Sequence, residues 1–244
     1  MRQLKFICAA LLLAVAGLVQ GLEPGLVDAV ERNDADAALA LLADGADVHA
    51  KQADGATALH WAAHWDLVGL AHRLLEAGAP VNAVNDLGVA PISVACRNGS
   101  VTMVDALLSH GADALTAEPS GETALMTCAR TGSTAAVVQL LAAGSDPNAI
   151  ELNSGQTALM WAAAGGNTAT ARALDEAGTE IDARSKGEFT PLMFAARSGA
   201  LELARLLLGS GATVNTATSE GLSPLLIAAA SLDAITGSDY RLVV

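Results

Sequence analysis

The sequence predicts an all-α repeat solenoid of about six and a half stacked units, each a β-turn followed by a helix–turn–helix. Three columns of residues carry this prediction, because they recur every 33 or 34 positions and stay in phase through most of the 244-residue chain. They are a hydroxyl or small column (Thr57, Ala90, Thr123, Thr157, Thr190, Ser223), a glycine column (Gly45, Gly78, Gly111, Gly144, Gly178, Gly211) and a leucine column (Leu74, Leu107, Leu140, Leu174, Leu207). Such units bury their apolar faces only against one another, so the stack offers surfaces for partners before it offers a catalytic pocket.

Each unit has the same predicted order of elements. A polar turn leads to Thr or Ser, which caps a short first helix, and a Pro at the first helical position loses no needed N–H. A second helix ends in paired leucines and is closed by a glycine in the left-handed conformation. The predicted units span residues 24–50, 51–83, 84–116, 117–149, 150–183, 184–216 and 217–244, the last one incomplete.

Two sequence runs resemble the ankyrin repeat family. They are Thr57-Ala58-Leu59-His60-Trp61-Ala62-Ala63 and Thr190-Pro191-Leu192-Met193-Phe194-Ala195-Ala196, and the Gly-Ala-Asp-Val-His run at 45–49 adds to the likeness. The family unit is a 33-residue β-turn with two antiparallel helices and the signature T-P-L-H-x-A. The resemblance covers roughly residues 24–244. It implies a non-enzymatic scaffold that binds protein partners.

The chain departs from this family pattern at the signature histidine. Only His60 keeps it, and the equivalent residues are Ser93, Met126, Met160, Met193 and Leu226. We therefore expect apolar packing to replace most of the hydrogen bonds that this histidine makes in the family.

The fifth and seventh units are also atypical. In the fifth, Asp175 replaces the second leucine and Gly165-Gly166 lowers helix propensity, so we expect the weakest packing there. In the seventh, we expect a first helix that begins normally at Pro224, a long connection over 231–239 and the start of a second helix over 240–244. The missing Leu-Leu pair and closing glycine indicate a truncated chain.

Residues 1–21 are predicted to be a signal peptide. Arg2 and Lys5 precede an apolar run over 6–19 that is short for a membrane span, and cleavage after Gly21 is preferred to cleavage after Ala16. The alternative is an uncleaved signal anchor. We expect a periplasmic or secreted protein.

The net charge is −13, and removal of residues 1–21 takes away two positive charges and leaves −15. Such a field repels nucleic acid and disfavours anionic membranes. The aromatic content of 3% leaves few platforms for stacking bases. These numbers argue against nucleic acid and membranes as ligands.

Only Cys96 and Cys128 remain after the leader, at nearly equivalent positions of adjacent units. Stacked helices lie roughly 8–10 Å apart, beyond the ~7 Å limit between the Cα atoms of a disulfide. We expect two buried thiols, with a bridge as the alternative.

No motif predicts catalysis, a metal or a cofactor. His60 and His64 stand four apart on one helix, but Trp61 occupies the place of the zincin glutamate and no third ligand is near. There is no Gly-x-Ser-x-Gly elbow and no Gly-Lys-Ser/Thr loop. We therefore predict that the protein is not an enzyme.

The candidate binding residues stand at the ends of first helices. Arg97, Arg130 and Arg197 follow the small residues there, and His64 occupies the equivalent position in the second unit. The family resemblance implies that these positions and the turn tips form a concave binding face. A cationic stripe would suit an acidic partner segment. The alternative is that the arginines only solubilise this face and pair with acidic neighbours such as Glu122 and Glu188.

Trp65, beside His64, is the remaining candidate. It is either an exposed anchor for the partner or a packing residue. Together these features predict a monomeric scaffold that binds a protein through its concave groove. The alternatives are a secreted effector acting on host proteins and the regulatory repeats of a longer enzyme.

Overall fold

The structure, a computed structural model, describes the backbone of residues 25–236 and the side chains of residues 25–230. In this part of the chain, thirteen helices follow one another, and paired helices make six complete units before the first helix of a seventh. The helices are α1 (Leu26–Glu31), α2 (Ala35–Ala43), α3 (Ala58–His64), α4 (Val68–Glu76), α5 (Pro91–Asn98), α6 (Val101–Ser109), α7 (Ala124–Thr131), α8 (Thr134–Ala142), α9 (Ala158–Ala164), α10 (Thr168–Glu176), α11 (Pro191–Ser198), α12 (Leu201–Gly209) and α13 (Pro224–Thr236). The predicted signal peptide and the second helix expected at 240–244 lie outside the described residues.

Odd-numbered helices are first helices and even-numbered helices are second helices. From α1 to α11, each first helix packs on its own second helix, and successive first helices pack on one another up to α13, so the two kinds form two layers. The leucine column fills the seam between the layers, and all five of its members are fully buried. One apolar cluster runs through the array, as expected for units that cannot bury a core alone.

Three of the predicted threonine caps take their expected roles, whereas the hydroxyl of Thr57 instead lies 2.9 Å from Nδ1 of His60. The hydroxyls of Thr123, Thr157 and Thr190 accept hydrogen bonds from backbone N–H groups three residues on, at 3.2, 3.4 and 3.4 Å. The closing glycines, from Gly45 to Gly211, all have φ between 83° and 95°, the left-handed region in which L side chains are strained.

His60 is a structural residue that joins two units. Its Nδ1 accepts a hydrogen bond from the backbone N–H of Thr57 at 3.2 Å, and its Nε2 then donates to the carbonyl of Val89 at 2.9 Å. Burial lowers the pKa of His60, although the bond to Val89 opposes this effect. Met126 and Met193 at the equivalent positions are fully buried, which confirms that apolar packing replaces the histidine there.

The expectation of two free thiols is wrong, because Cys96 and Cys128 form a disulfide. Their Cα atoms are 4.6 Å apart, and both side chains are fully buried between α5 and α7. The spacing of roughly 8–10 Å separates helix axes, whereas the limit of ~7 Å for a disulfide applies to Cα atoms. The Cα atoms lie ~2.3 Å from each axis, so facing ones on adjacent helices come within about 3–5 Å.

The expected connection after Ala230 is also wrong over residues 231–236, because α13 continues to Thr236. First helices α5, α7 and α11 end at glycines with φ of 67–75°. The seventh unit carries Leu232 at that position, and no helix-terminating residue occurs before Gly237.

In the fifth unit, Asp175 is half-buried and accepts a hydrogen bond from the hydroxyl of Ser210 in the sixth unit at 2.5 Å. The carboxylate thus has a partner in the neighbouring unit. Whether this unit is the weakest of the array stays a prediction.

The described helices include none that is both long and apolar enough to cross a bilayer.

Candidate protein-binding groove

Turn tips and the exposed sides of the first helices together form one face of the array, which we call the groove face. The structure places all five predicted binding residues at the ends of first helices and leaves them exposed: His64, Trp65, Arg97, Arg130 and Arg197. Their positions follow from the 33-residue period, because equivalent residues of stacked units lie side by side. None of them is isolated, since each packs on or bonds to a neighbour.

An aromatic cluster occupies the groove face of the second unit. The ring of His64 lies between Trp61 and Trp65, with centroid distances of 5.6 and 4.6 Å and edge-on geometry in both pairs. Trp65 is 42% exposed, and its indole N–H donates to the carbonyl of Glu31 in the first unit at 3.0 Å. The Trp61 N–H donates to Gln52 at 2.8 Å. Trp65 therefore both packs against the first unit and offers an exposed ring edge, so it combines its two predicted roles.

A mainly apolar cleft lies beside this cluster, between the second and third units. Its volume is about 410 Å³. Trp61, Val94 and Leu87 supply its apolar walls, and His64 and Arg97 supply polar groups at its edge. Leu87, at the turn tip, is 74% exposed. The cleft can take a large apolar side chain from a partner and offers polar groups beside it.

The arginines in the middle of the face are paired with carboxylates. Arg97 donates to Glu118 at 2.5 Å, and Arg130 lies 3.8 Å from Glu122. Glu122 also accepts a hydrogen bond from the hydroxyl of Thr127 at 2.8 Å. Burial raises the pKa of Glu118, Arg97 opposes this shift and Glu122 adds to it. The middle of the groove face is therefore close to charge-neutral.

Arginine guanidinium groups also stack on aromatic rings. Arg130 lies 4.9 Å from the ring centroid of Trp161, and Arg197 lies 4.9 Å from that of Phe194 and 5.9 Å from that of Phe189. The indole N–H of Trp161 is buried and has no hydrogen-bond partner in the structure. These contacts favour one orientation of each guanidinium group before any partner binds.

Pairing with Glu122 was predicted for the arginines, and Arg130 shows it. Glu188, the second predicted acid, instead accepts a hydrogen bond from the backbone N–H of Ser219. This bond holds the pKa of Glu188 below its ordinary value. Arg197 packs on aromatic rings and not on that acid.

Four groove residues were not among the binding residues predicted from the sequence: Leu87, Glu118, Trp161 and Phe194. Trp161 and Phe194 share the column of Trp61, directly after the signature histidine, where the sequence favours an interpretation of the tryptophans as packing residues. Leu87 and Glu118 lie in turns whose sequence varies from unit to unit, so equivalent positions do not predict which side chain occurs there.

Within the described ranges, no group of three or more His, Cys, Asp or Glu residues is arranged to hold a metal ion. His64 packs edge-on between two tryptophans, whereas His60 is hydrogen-bonded inside the array. The two histidines therefore do not converge on one point.

Sequence comparison decides the family. Two family models match the chain. The model described as "Ankyrin repeats (3 copies)" matches residues 26–118, 66–151 and 112–185, and the model described as "Ankyrin repeat" matches residues 188–219. The chain belongs to the ankyrin repeat family. Domains of this family are generally scaffolds for protein–protein interaction.

Solved structures agree with this assignment. The human ASB11 ankyrin repeat domain is similar at a TM-score of 0.74 and 27% identity, over 86% of this chain and 97% of that one. The ankyrin repeat domain of Bcl-3, described as a member of the IkappaB protein family, is similar at 0.70 and 26% identity, over 88% of this chain and 99% of that one. No curated protein sequence matches the chain.

Proposed function

We propose that this ankyrin array is an exported, non-enzymatic scaffold that acts as a monomer and binds a protein partner along its groove face. The observation that carries the proposal is the cleft between the second and third units, beside three aromatic rings that packing already holds in place. Such a site loses little conformational freedom on binding, so more of its contact energy becomes affinity.

The pairing of the arginines defines the partner further. Arg97 and Arg130 have carboxylate neighbours, so the face does not need a strongly acidic ligand to balance its charge. We propose a segment that places a large apolar side chain in the cleft and a carboxylate beside it. That carboxylate would accept hydrogen bonds from guanidinium N–H groups that the glutamates leave open.

Two features support export. The leader at residues 1–21 has the charged, apolar and small-residue order of a signal peptide. The buried disulfide belongs to proteins of oxidising compartments, because cytosolic thiols are kept reduced. N-terminal sequencing of exported protein should begin near Leu22, and a mature chain that keeps Met1 in the membrane fraction would contradict cleavage.

The binding proposal is tested by titrating a captured partner with the unaltered protein and three variants, each shown to be folded. Two variants alter the groove face: Trp65→Ala, and Arg97→Ala combined with Arg130→Ala. The matched control is Arg205→Ala, because Arg205 is an exposed arginine that pairs with Glu202 on α12, away from the groove. Affinity is measured by titration at two salt concentrations.

We expect Trp65→Ala to weaken binding by about 2 kcal/mol or more, as a hot-spot aromatic does. The arginine variant should weaken binding less at high salt, because exposed charge pairs are screened within about 10 Å at 0.1 M. Arg205→Ala should leave the affinity unchanged. Loss of binding in the control, with none in the groove variants, would refute the groove assignment.

A further inference from the structure

Two hydrogen-bonded staples recur at three interfaces in the interior of the array, and they set apart the interior interface that lacks them. The turn staple is a backbone N–H at one turn tip that donates to the carbonyl of the preceding tip. It occurs as Asp86 to Asp54 at 2.8 Å, Leu152 to Ser120 at 2.6 Å and Lys186 to Ser154 at 2.7 Å.

The loop staple joins the segments that close successive units. A side-chain oxygen of Asn or Asp accepts a backbone N–H of the next closing segment. It occurs from Asp113 to Asn82 at 2.8 Å, from Glu180 to Asn148 at 2.8 Å and from Thr213 to Asp182 at 2.9 Å. The interfaces between units two and three, four and five, and five and six therefore have both staples.

The interface between units three and four has neither. Pro119 occupies the donor position of the turn staple and has no N–H. Leu115 occupies the acceptor position of the loop staple and is 61% exposed. Side-chain bonds remain there, from Thr131 to Cys96, Ser133 to Gly99 and Ser145 to Ala114, and Arg97 bonds to Glu118.

The disulfide Cys96–Cys128 crosses this same interface. At the aligned positions of units two, five and six, alanine stands in place of each cysteine, as in Ala62-Ala63 and Ala162-Ala163. We propose that this disulfide replaces the two missing staples and acts as a redox-sensitive clamp, so that the array opens between units three and four when the bond is reduced.

The position of the bond explains why reduction would open the interface. Both cysteines are fully buried, and their disulfide is a covalent link between α5 and α7. Reduction, or replacement of both cysteines by alanine, removes this link at an interface where neither staple holds the two units together. The same two helices carry Arg97 and Arg130 of the groove face.

The chemistry is a thiol–disulfide exchange. When the clamp forms, the two thiols lose two protons and two electrons, and an S–S bond joins Cys96 and Cys128. The electrons and protons pass to the disulfide of a dithiol–disulfide oxidoreductase, which becomes two thiols. The reverse reaction opens the clamp: a reducing dithiol reaches the buried sulfurs when α5 and α7 separate in a transient local opening, and it leaves Cys96 and Cys128 as two thiols.

Hydrogen exchange of the full exported chain tests the clamp without any partner. Three forms are compared: oxidised protein, protein treated with a phosphine reductant, and the variant Cys96→Ala with Cys128→Ala, which keeps the alanines of the other units. In both open forms, we expect exchange over 91–98 and 124–131 to rise by about tenfold or more, while 191–198 in the sixth unit changes little.

A rescue variant distinguishes local opening between units three and four from a general loss of stability. Leu115→Asn supplies the missing loop staple, and in the double-alanine background it should reduce the rise by about fivefold. The matched control Asn148→Leu removes the same staple one interface further on, and it should raise exchange over 124–131 and 158–164 equally in oxidised and reduced protein.

Three outcomes would overturn the proposal. The first is a thiol titration that finds two free thiols in protein isolated from the oxidising compartment, which would mean that Cys96 and Cys128 are not bonded there. The second is an equal rise in exchange over 191–198, which would show uniform destabilisation. The third is a Leu115→Asn variant that gives no protection to the open forms.

Discussion

Glu151 is a buried carboxylate that organises an irregular turn. The spacing between Thr123 and Thr157 is 34 residues where the other units keep 33, and the extra residue lies in this turn. The carboxylate accepts backbone N–H bonds from Asn153, Ser154 and Gln156 at 2.6, 2.7 and 3.1 Å. Burial by itself would raise the pKa of Glu151, but the three donors outweigh it and the pKa lies below its ordinary value.

We expect Glu151→Gln to lower the free energy of unfolding by about 1–3 kcal/mol at pH 7, because the donors lose a charged acceptor. The pKa of Glu151 is lower in the folded protein than in the unfolded chain, where it is about 4.3, so the ionised carboxylate stabilises the fold at pH values above 4.3. This contribution to stability disappears as the pH falls through the pKa of the folded protein. Denaturant titrations should therefore show the difference between the two proteins shrinking below pH 4. The exposed variant Glu176→Gln is the control, and a pH-independent difference would contradict the role of the charge.

Asp175 shows how a partner across the interface changes the expected effect of a substitution. Sequence alone predicts that Asp175→Leu restores the second leucine of the Leu-Leu pair in the fifth unit and raises the unfolding midpoint. The carboxylate is bonded to Ser210, however, and Leu208 at the equivalent position of the sixth unit is 43% exposed.

Partial burial of a leucine at residue 175 is worth about 1 kcal/mol, roughly what the lost hydrogen bond removes. We expect no gain in midpoint from Asp175→Leu, and a gain of about 1 kcal/mol when Ser210→Ala is added. Thermal unfolding of the two variants and of Ser210→Ala decides this. A clear gain from the single variant would show that the bond contributes little.

At the scale of elements, the ends of first helices depend on side chains from the following units. The amide of Asn167 donates to the carbonyls of Ala129 and Arg130, both at 3.0 Å, and so covers the end of α7. Gly132, which closes that helix at φ +75°, leaves the space for this amide: a Cβ there would lie 2.7 Å from Oδ1 of Asn167. Gly199 closes α11 at φ +68° with open space around it.

These two glycines form a matched pair for mutation. Gly199→Ala should cost only the left-handed backbone penalty, about 1–2 kcal/mol. Gly132→Ala should cost a further 1–3 kcal/mol or so, because the Cβ displaces Asn167 from two carbonyls. Denaturant unfolding of both variants measures the difference. Equal costs would mean that Asn167 moves aside freely.

At the scale of the whole molecule, the net charge of −13 opposes the compact array. Two of the arginines of the groove face, Arg97 and Arg130, are paired with Glu118 and Glu122, so they do little to relieve the excess of acidic residues elsewhere.

We expect the unfolding free energy to rise by about 1 kcal/mol when ionic strength increases from ~0.01 to ~0.15 M, because the screening length falls from about 30 to 8 Å. Chemical unfolding with urea, which is uncharged, measures the effect. A fall in the unfolding free energy with salt would show that ion pairs, and not repulsion, dominate. In that case Arg97→Ala with Glu118→Ala should reduce the salt dependence, because it removes one of these pairs.

The sequence by itself determined the architecture of this protein. Residues such as Leu107, Gly111 and Thr123 recur with the period of one unit, and each acts within its own turn or helix. The leucine seam, the closing turn and the helix cap could therefore be predicted without knowledge of the neighbouring unit. The candidate groove residues were predictable as positions for the same reason: equivalent residues of a stack lie side by side.

Only the tertiary structure decided what joins one unit to the next. The disulfide, the bond from Ser210 to Asp175 and the pairing of Arg97 with Glu118 all connect residues about 20–35 positions apart, across interfaces whose spacing no single unit encodes. The continuation of α13 to Thr236 follows from a local cause, the absent glycine, yet it became evident only in three dimensions. Local periodicity fixes the units, whereas distances of a few ångströms between them decide which side chains bond, and those distances depend on the packing of the whole stack.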